Sequence, residues 1–293
     1  MHKLLTLSFA LTMHGVATAA CPPRAQLQEL REAKFVVADG AKRQVLALAL
    51  QDCLGERDPF VRDEVAFAAL SSWMRGAALE AHTLRRLRVT QLARLGVRDS
   101  DGFAQPFAAL ALSEVARTDR IKPYLSEAER AELVQAGSAY LSAERDYRGY
   151  DAKDGWRHGV PHGADLMRQL AANPLVGKKA QQQILAAVAA QVMGASAHTP
   201  TQSFHSFEGD RLANPVFALA TRSDFDAAEW DAWFSSLAIT PAERSGDAVA
   251  LVARMHNLSA FLMPLYVTLS ETKDLAARER MLPAVAKALR QAK

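Results

Sequence analysis

The chain has few of the features that usually identify a protein quickly. Only two of its 293 residues are cysteine, so it can form at most one disulfide. Glycine is sparse at 15 residues. No G-x-S-x-G, Walker loop, dinucleotide fingerprint or C-x-x-C occurs, so the usual acyl-transfer, nucleotide and dithiol signatures are absent. Neither sign of charge dominates. The formal net charge is +3, which argues against an electrostatic nucleic-acid binder. The locally basic stretch His82–Arg98 alternates arginine with leucine at helical spacing, as a solvated helix face does. No segment keeps a period of two long enough for a sheet, and Phe35–Val37 is too short to count. No run of glycine, proline or serine divides the chain.

What remains is a helix-forming sequence behind an apolar leader. Lys3 precedes the apolar run "LLTLSFALTM", and "ATAAC" supplies small residues for cleavage near Ala19 or Ala20. Residues 1–20 therefore read as an export signal too short to span a bilayer, with no transmembrane segment after its removal and a periplasmic destination. Losing Lys3 lowers the net charge to about +2. Cys21 then has two readings. It is either the lipidated residue of a loose lipobox, anchoring a lipoprotein, or a disulfide partner of Cys53. The disulfide is preferred because Thr18 stands where a lipobox has an aliphatic residue.

Residues 21–293 read as a single all-α domain. Hydrophobic residues make up 49% of the chain, enough for a substantial core. Helical spacing predicts helices near 24–33, 42–54, 60–76, 79–96, 103–117, 126–143 and 156–172. Others are predicted near 178–195, 205–221, 226–238, 247–270 and 274–291. Asp58-Pro59 marks one start, and Ser126 with Glu129 forms a capping box at another. Asp99–Gly102, Asn173-Pro174 and Thr240-Pro241 mark breaks. Antiparallel helix pairs stacked as a curved α-α superhelix, in the manner of HEAT and armadillo solenoids, are expected. A closed α/α toroid is the alternative.

One block concentrates candidate chemistry: "RGYDAKDGWRHGVPHGADLMRQLAANP", from Arg148 to Pro174. Asp154 is placed to start a helix, which puts His158, His162 and Asp165 on one face, with Pro161 expected to kink it. In a metal reading, His158 and His162 hold a divalent ion, completed by Asp165 or by His205, Glu208 or Asp210. The zincin glutamate is missing, so a metal is not favoured. In a carboxylate reading, Asp154, Asp165 and Glu208 do acid–base work on a glycan or cell-wall substrate, while Tyr147, Tyr150 and Trp156 stack on sugar rings. In a framework reading, Arg148, Asp165 and Arg211 form a buried charged network, and both histidines bond to neighbouring helices. Arg62, Asp63 and Glu64 read as helix caps and bridges. His256 and Asn257 read as a satisfied core pair, and His198 and His205 as solvent-facing.

"DPFVRDEVAFAALSSW", the block above, "FEGDRLANPV" and "MHNLSAFLMPLYVTL" together, over roughly 45–270, resemble the bacterial domain-of-unknown-function family 2785. The resemblance implies a helical protein and no assigned activity. Pro161 stands where the resemblance leads one to expect a small helix former. The favoured function is a module that binds a small molecule, glycan or protein in a polar groove around His158, His162 and Asp165, with Tyr150, Asp154, Trp156 and Arg211 beside them. A periplasmic hydrolase, metal-assisted or carboxylate-driven, is the alternative.

Overall fold

A computed structural model describes residues 20–194 and 202–292. The leader up to residue 19 and His198 lie outside that range. The first helices are α1 (Arg24–Glu32) and α2 (Gly40–Leu50), followed by a 3-10 turn at Gln51–Gly55. Phe60–Phe67 is wound as a wider π-helix and runs directly into α3 (Ala68–Arg75). Next come α4 (Ala81–Leu95), α5 (Ala104–Ile121) and α6 (Glu127–Ala143). A hairpin of β1 (Tyr150–Asp151) and β2 (Gly155–Trp156) precedes α7 (Gly159–Ala171) and α8 (Lys178–Met193). The chain ends with α9 (Glu208–Ala220), α10 (Ala227–Ser236), one-turn α11 (Pro241–Arg244), α12 (Ala248–Glu271) and α13 (Leu275–Gln291).

The helix starts have local causes. The Ser126 hydroxyl accepts from the Glu129 amide and the Glu129 carboxylate accepts from the Ser126 amide, a reciprocal capping box. Asp226 with Glu229 and Thr240 with Glu243 repeat it. Thr240-Pro241 therefore begins a short helix where the sequence suggested only a break, with proline at a first-turn position that needs no amide donor.

Packing places α5 at the centre. Phe103, just before it, and Phe107, Ala111 and Val115 face a core shared with Leu50, Leu54, Leu70 and Trp73. Ala108, Leu112 and Ala116, on another stripe of α5, face a larger core with Leu141, Leu166, Leu212, Trp230 and Phe261. Residues four apart share a helix face, so one helix joins both cores. α5, α7 and α9 lie side by side, and α6 packs against α4 and α8. α12 is long and apolar enough to cross a membrane by composition, but its Phe261, Leu262, Leu265 and Leu269 are buried in the larger core. Cys21 and Cys53 are joined by a disulfide that ties the stretch before α1 to the turn after α2.

Candidate functional site

The site is built where the hairpin meets the N-terminal ends of α7 and α9. The hairpin was absent from the sequence reading, because two residues per strand leave no alternation to detect. Asp151 organises it by accepting from the amides of Lys153 and Asp154, and Tyr150 pairs with Trp156 across it. Gly155 has φ +77°, a conformation only glycine adopts freely. Asp154 does not start a helix. It sits buried in the turn, where Arg57 donates to its carboxylate at 2.8 Å and Arg157 lies 3.6 Å away. Arg62 is fully buried and donates to the Asp154 carbonyl, to the carbonyls of Glu56 and Arg57, and to Asp63. Its guanidinium lies over the rings of Phe103 and Phe107. What read as a capping residue is thus the peg that fastens the hairpin to the π-helix. Glu64 pairs outward with Arg31.

α7 starts three residues later than the spacing suggests. His158 is its N-cap, in a left-handed conformation with φ 55°. Pro161 consequently falls in the first turn, where its missing amide has no helical partner to lose, and the expected kink does not arise. His158, His162 and Asp165 still follow one another along α7, but their environments differ. Trp156 stacks on His158 with ring centroids 3.9 Å apart. The His158 and His162 rings meet edge to face at 5.6 Å, and His162 also meets the edge of Phe107 at 5.1 Å. His162 is buried, so the expected open groove closes at that point. Nε2 of His158 and Nδ1 of His162 are buried with no hydrogen-bond partner among the described residues.

Electrostatics keep both imidazoles neutral. Burial, then the Arg211 charge, pushes the His158 pKa down to about 4, against a backbone contact from Ser206. Burial, then His158 and Arg211, holds His162 well below the usual histidine value. Burial raises the Asp165 carboxyl, opposed by Arg211, whose Nη1 donates to it at 2.5 Å. Arg148 is not part of that pair. It is exposed and chelates Asp146, so the three-residue network expected from the sequence is a two-residue one.

On α9, Phe207 is the N-cap and also left-handed, with φ 67°, and its ring is 63% exposed. It lies 6.5 Å from Trp156, and Tyr150, 64% exposed, lies 5.1 Å from Trp156. Phe207 was missed. The available signal was the pair of phenylalanines in "SFHSFEG", just ahead of a helix. Glu208 is buried and accepts from the amides of His205 and Ser206. Tyr147 is a core residue, donating to Gln191 and packing near Phe204. His205 and Asp210 are exposed. Asn257 is buried and bonds both Phe204 and Gln202, whereas His256 is exposed and reaches the Phe204 carbonyl; together they fix the approach to α9. Among the described residues, no group of three or more histidine, cysteine, aspartate or glutamate side chains is placed to hold a metal ion.

Fold and site together define a mostly helical protein with an aromatic–histidine seam where α7 and α9 pack together. Residues 92–267 match the family described as protein of unknown function (DUF2785), and the chain belongs to it. The match takes in the whole Arg148–Pro174 block but begins after "DPFVRDEVAFAALSSW". No curated protein and no solved structure matches the chain.

Proposed function

We propose that this is an exported ligand-binding module whose site is the seam of Tyr150, Trp156, His158 and Phe207. The observation that carries the reading is an exposed aromatic pair next to an indole stacked on His158, an imidazole with a buried, partnerless Nε2. Clustered exposed aromatics mark binding surfaces, and buried polar atoms without partners call for an explanation. Of the five non-glycine residues with positive φ among the described residues, two, His158 and Phe207, belong to the seam and add local strain of the kind that collects at functional sites.

Binding is preferred to hydrolysis because the acids are committed. Asp154 serves Arg57 and Arg157, Glu208 serves two backbone amides, and Asp165 serves Arg211. The polar strip of Arg211 and Asp165 extends the site along the α7–α9 seam. A single domain fits α5 facing both cores. The row α5–α7–α9 beside the row α4–α6–α8 supports a curved α-α superhelix. α13 packs on α9, α10 and α12, which favours an open superhelix over a toroid. The apolar leader and the Cys21–Cys53 bond support a periplasmic location, since disulfides persist in oxidising compartments. A sulfur engaged in that bond has no thiolate to carry lipid.

The test is ligand-detected NMR of the protein, Trp156→Ala and Phe207→Gly against a chemically mixed fragment set. Fragments that bind the wild type and are lost in both variants support the site. Fragments that bind all three proteins equally overturn it.

A further inference from the structure

We infer that the ligand of this site is an uncharged saccharide, seated with one ring face on Trp156 and its hydroxyl edge toward α7 and α9. The inference rests on the binding reading above and specifies its chemistry. Charge is the first argument. The buried and half-buried ionised groups at the seam already have an opposite charge or backbone amides, while Lys153 in the hairpin turn and Asp210 in the first turn of α9 are exposed, of opposite sign and without an ion-pair partner among the described residues. Arg211 has Asp165, and Asp154 has Arg57 and Arg157. Glu208 takes the amides of His205 and Ser206 at the start of α9. Glu144 takes the amides of Arg145 and Asp146 and sits at the start of α7, where a Cβ on Gly159 would lie 3.0 Å from its Oε2. Carboxylates therefore lie at both helix N-termini, Glu144 beside Gly159 of α7 and Glu208 and Asp210 in the first turn of α9, and their negative charge disfavours an anion at either place. Inside the seam no unpaired charge is left to recognise an ion, and the two exposed charges at its rim are of opposite sign.

What is left unpaired inside the seam is neutral. A neutral imidazole nitrogen donates or accepts a single hydrogen bond, as its tautomer dictates. A sugar hydroxyl does both, so it suits Nε2 of His158 whichever tautomer is present. Arg211 spends only Nη1 on Asp165 and is partly exposed, which leaves further donors at the rim. Tyr150, Trp156 and Phe207 supply the apolar faces on which the C–H face of a pyranose packs. Because Trp156 now covers His158, seating the ring requires the indole to move aside.

The experiment titrates the full mature chain with uncharged tetrasaccharides of glucose, mannose and N-acetylglucosamine, and with tetragalacturonate and benzoate as charged comparators, following tryptophan fluorescence and heat. At least one uncharged tetrasaccharide should bind, with affinity falling at least about tenfold in Trp156→Ala and about threefold or more in His158→Gln. Circular dichroism and thermal unfolding verify that each variant is folded, and Phe207→Gly provides a second variant that relaxes rather than strains the backbone. Tighter binding of a charged comparator overturns the inference. If none of the uncharged sugars binds while fragments still bind at Trp156, the saccharide assignment fails and the site survives. Loss of both would remove the site as well.

Discussion

The Trp156 indole lies on the His158 imidazole with its plane 26° from parallel, and the two residues are only two positions apart in sequence. An extended chain would send such side chains the same way without stacking them. The left-handed backbone at His158 folds the ring back under the indole as the chain turns from β2 into α7. The same conformation recurs at Phe207, where the chain enters α9. The seam thus depends on two backbone conformations that ordinary side chains avoid.

That dependence can be measured at Phe207. A left-handed non-glycine residue costs roughly 1–2 kcal/mol, and glycine's extra freedom in the unfolded chain returns about 0.4–1 kcal/mol of that as a loss. With the ring largely exposed, Phe207→Gly should unfold close to the wild-type midpoint or slightly above it. Phe207→Val places a branched side chain in the same conformation and should lose at least about 1 kcal/mol. Urea unfolding of the two variants compares them directly. A glycine variant much less stable than the valine one would contradict the left-handed assignment.

The Cys21–Cys53 bond closes a loop of sequence separation 32. Constraining a loop of that length in the unfolded chain is worth about 3–4 kcal/mol on the chain-entropy estimate. The protein should show no free thiol after denaturation without reductant. Reductant, or the double variant Cys21→Ser/Cys53→Ser, should lower the unfolding midpoint by several degrees. A titratable thiol in the untreated protein would count against the pairing.

Arg62 carries the heaviest structural duty of any charged residue near the site. Arg62→Met removes donors to three carbonyls and leaves Asp63, whose carboxyl burial already pushes upward, without its counter-charge. Removing one partner of such a pair typically costs about 3–5 kcal/mol. Lysine should not restore it, because one ammonium cannot reproduce the planar fork that serves Asp63 and the Asp154 carbonyl together. Hydrogen exchange should show the 150–156 hairpin opening first in both variants. Unchanged protection there would mean the hairpin is held by something other than Arg62.

Much of this was legible in the sequence. The Ser126–Glu129 capping box, the helix order and the block that holds the histidines follow from side-chain chemistry that acts within a turn or two. The rest was hidden because its causes are non-local or lack a residue signature. Phe107 reaches His162 from another helix, and Arg57 reaches Asp154 across 97 positions. Nothing in the letters of His158 or Phe207 announces a positive φ, since glycine and asparagine are the residues that normally do. Pro161 misled in the opposite direction: its effect depends on where the helix begins, and that was set by His158.

The buried histidines should make stability depend on pH in a defined window. Both have folded-state pKa values below the unfolded value of 6.5, His158 at about 4 and His162 well below 6.5. Above pH 6.5 neither state holds the protons and the pair has no linked effect. As pH falls below that, the unfolded chain takes up protons that the folded protein refuses, so folding weakens. The slope between pH 6.5 and about 5 should correspond to about one proton per histidine bound on unfolding. Lower down, the raised carboxyls of Asp165 and Asp63 bind protons in the folded state and act in the opposite sense. His158→Gln should remove part of the slope in the upper interval, and adding His162→Asn most of the remainder, whatever those changes do to stability at pH 7.5. Unfolding midpoints at half-unit steps from pH 7.5 to 5 would read the slope. A wild-type profile flat across that interval would mean that the imidazoles ionise freely and that the seam is open to water.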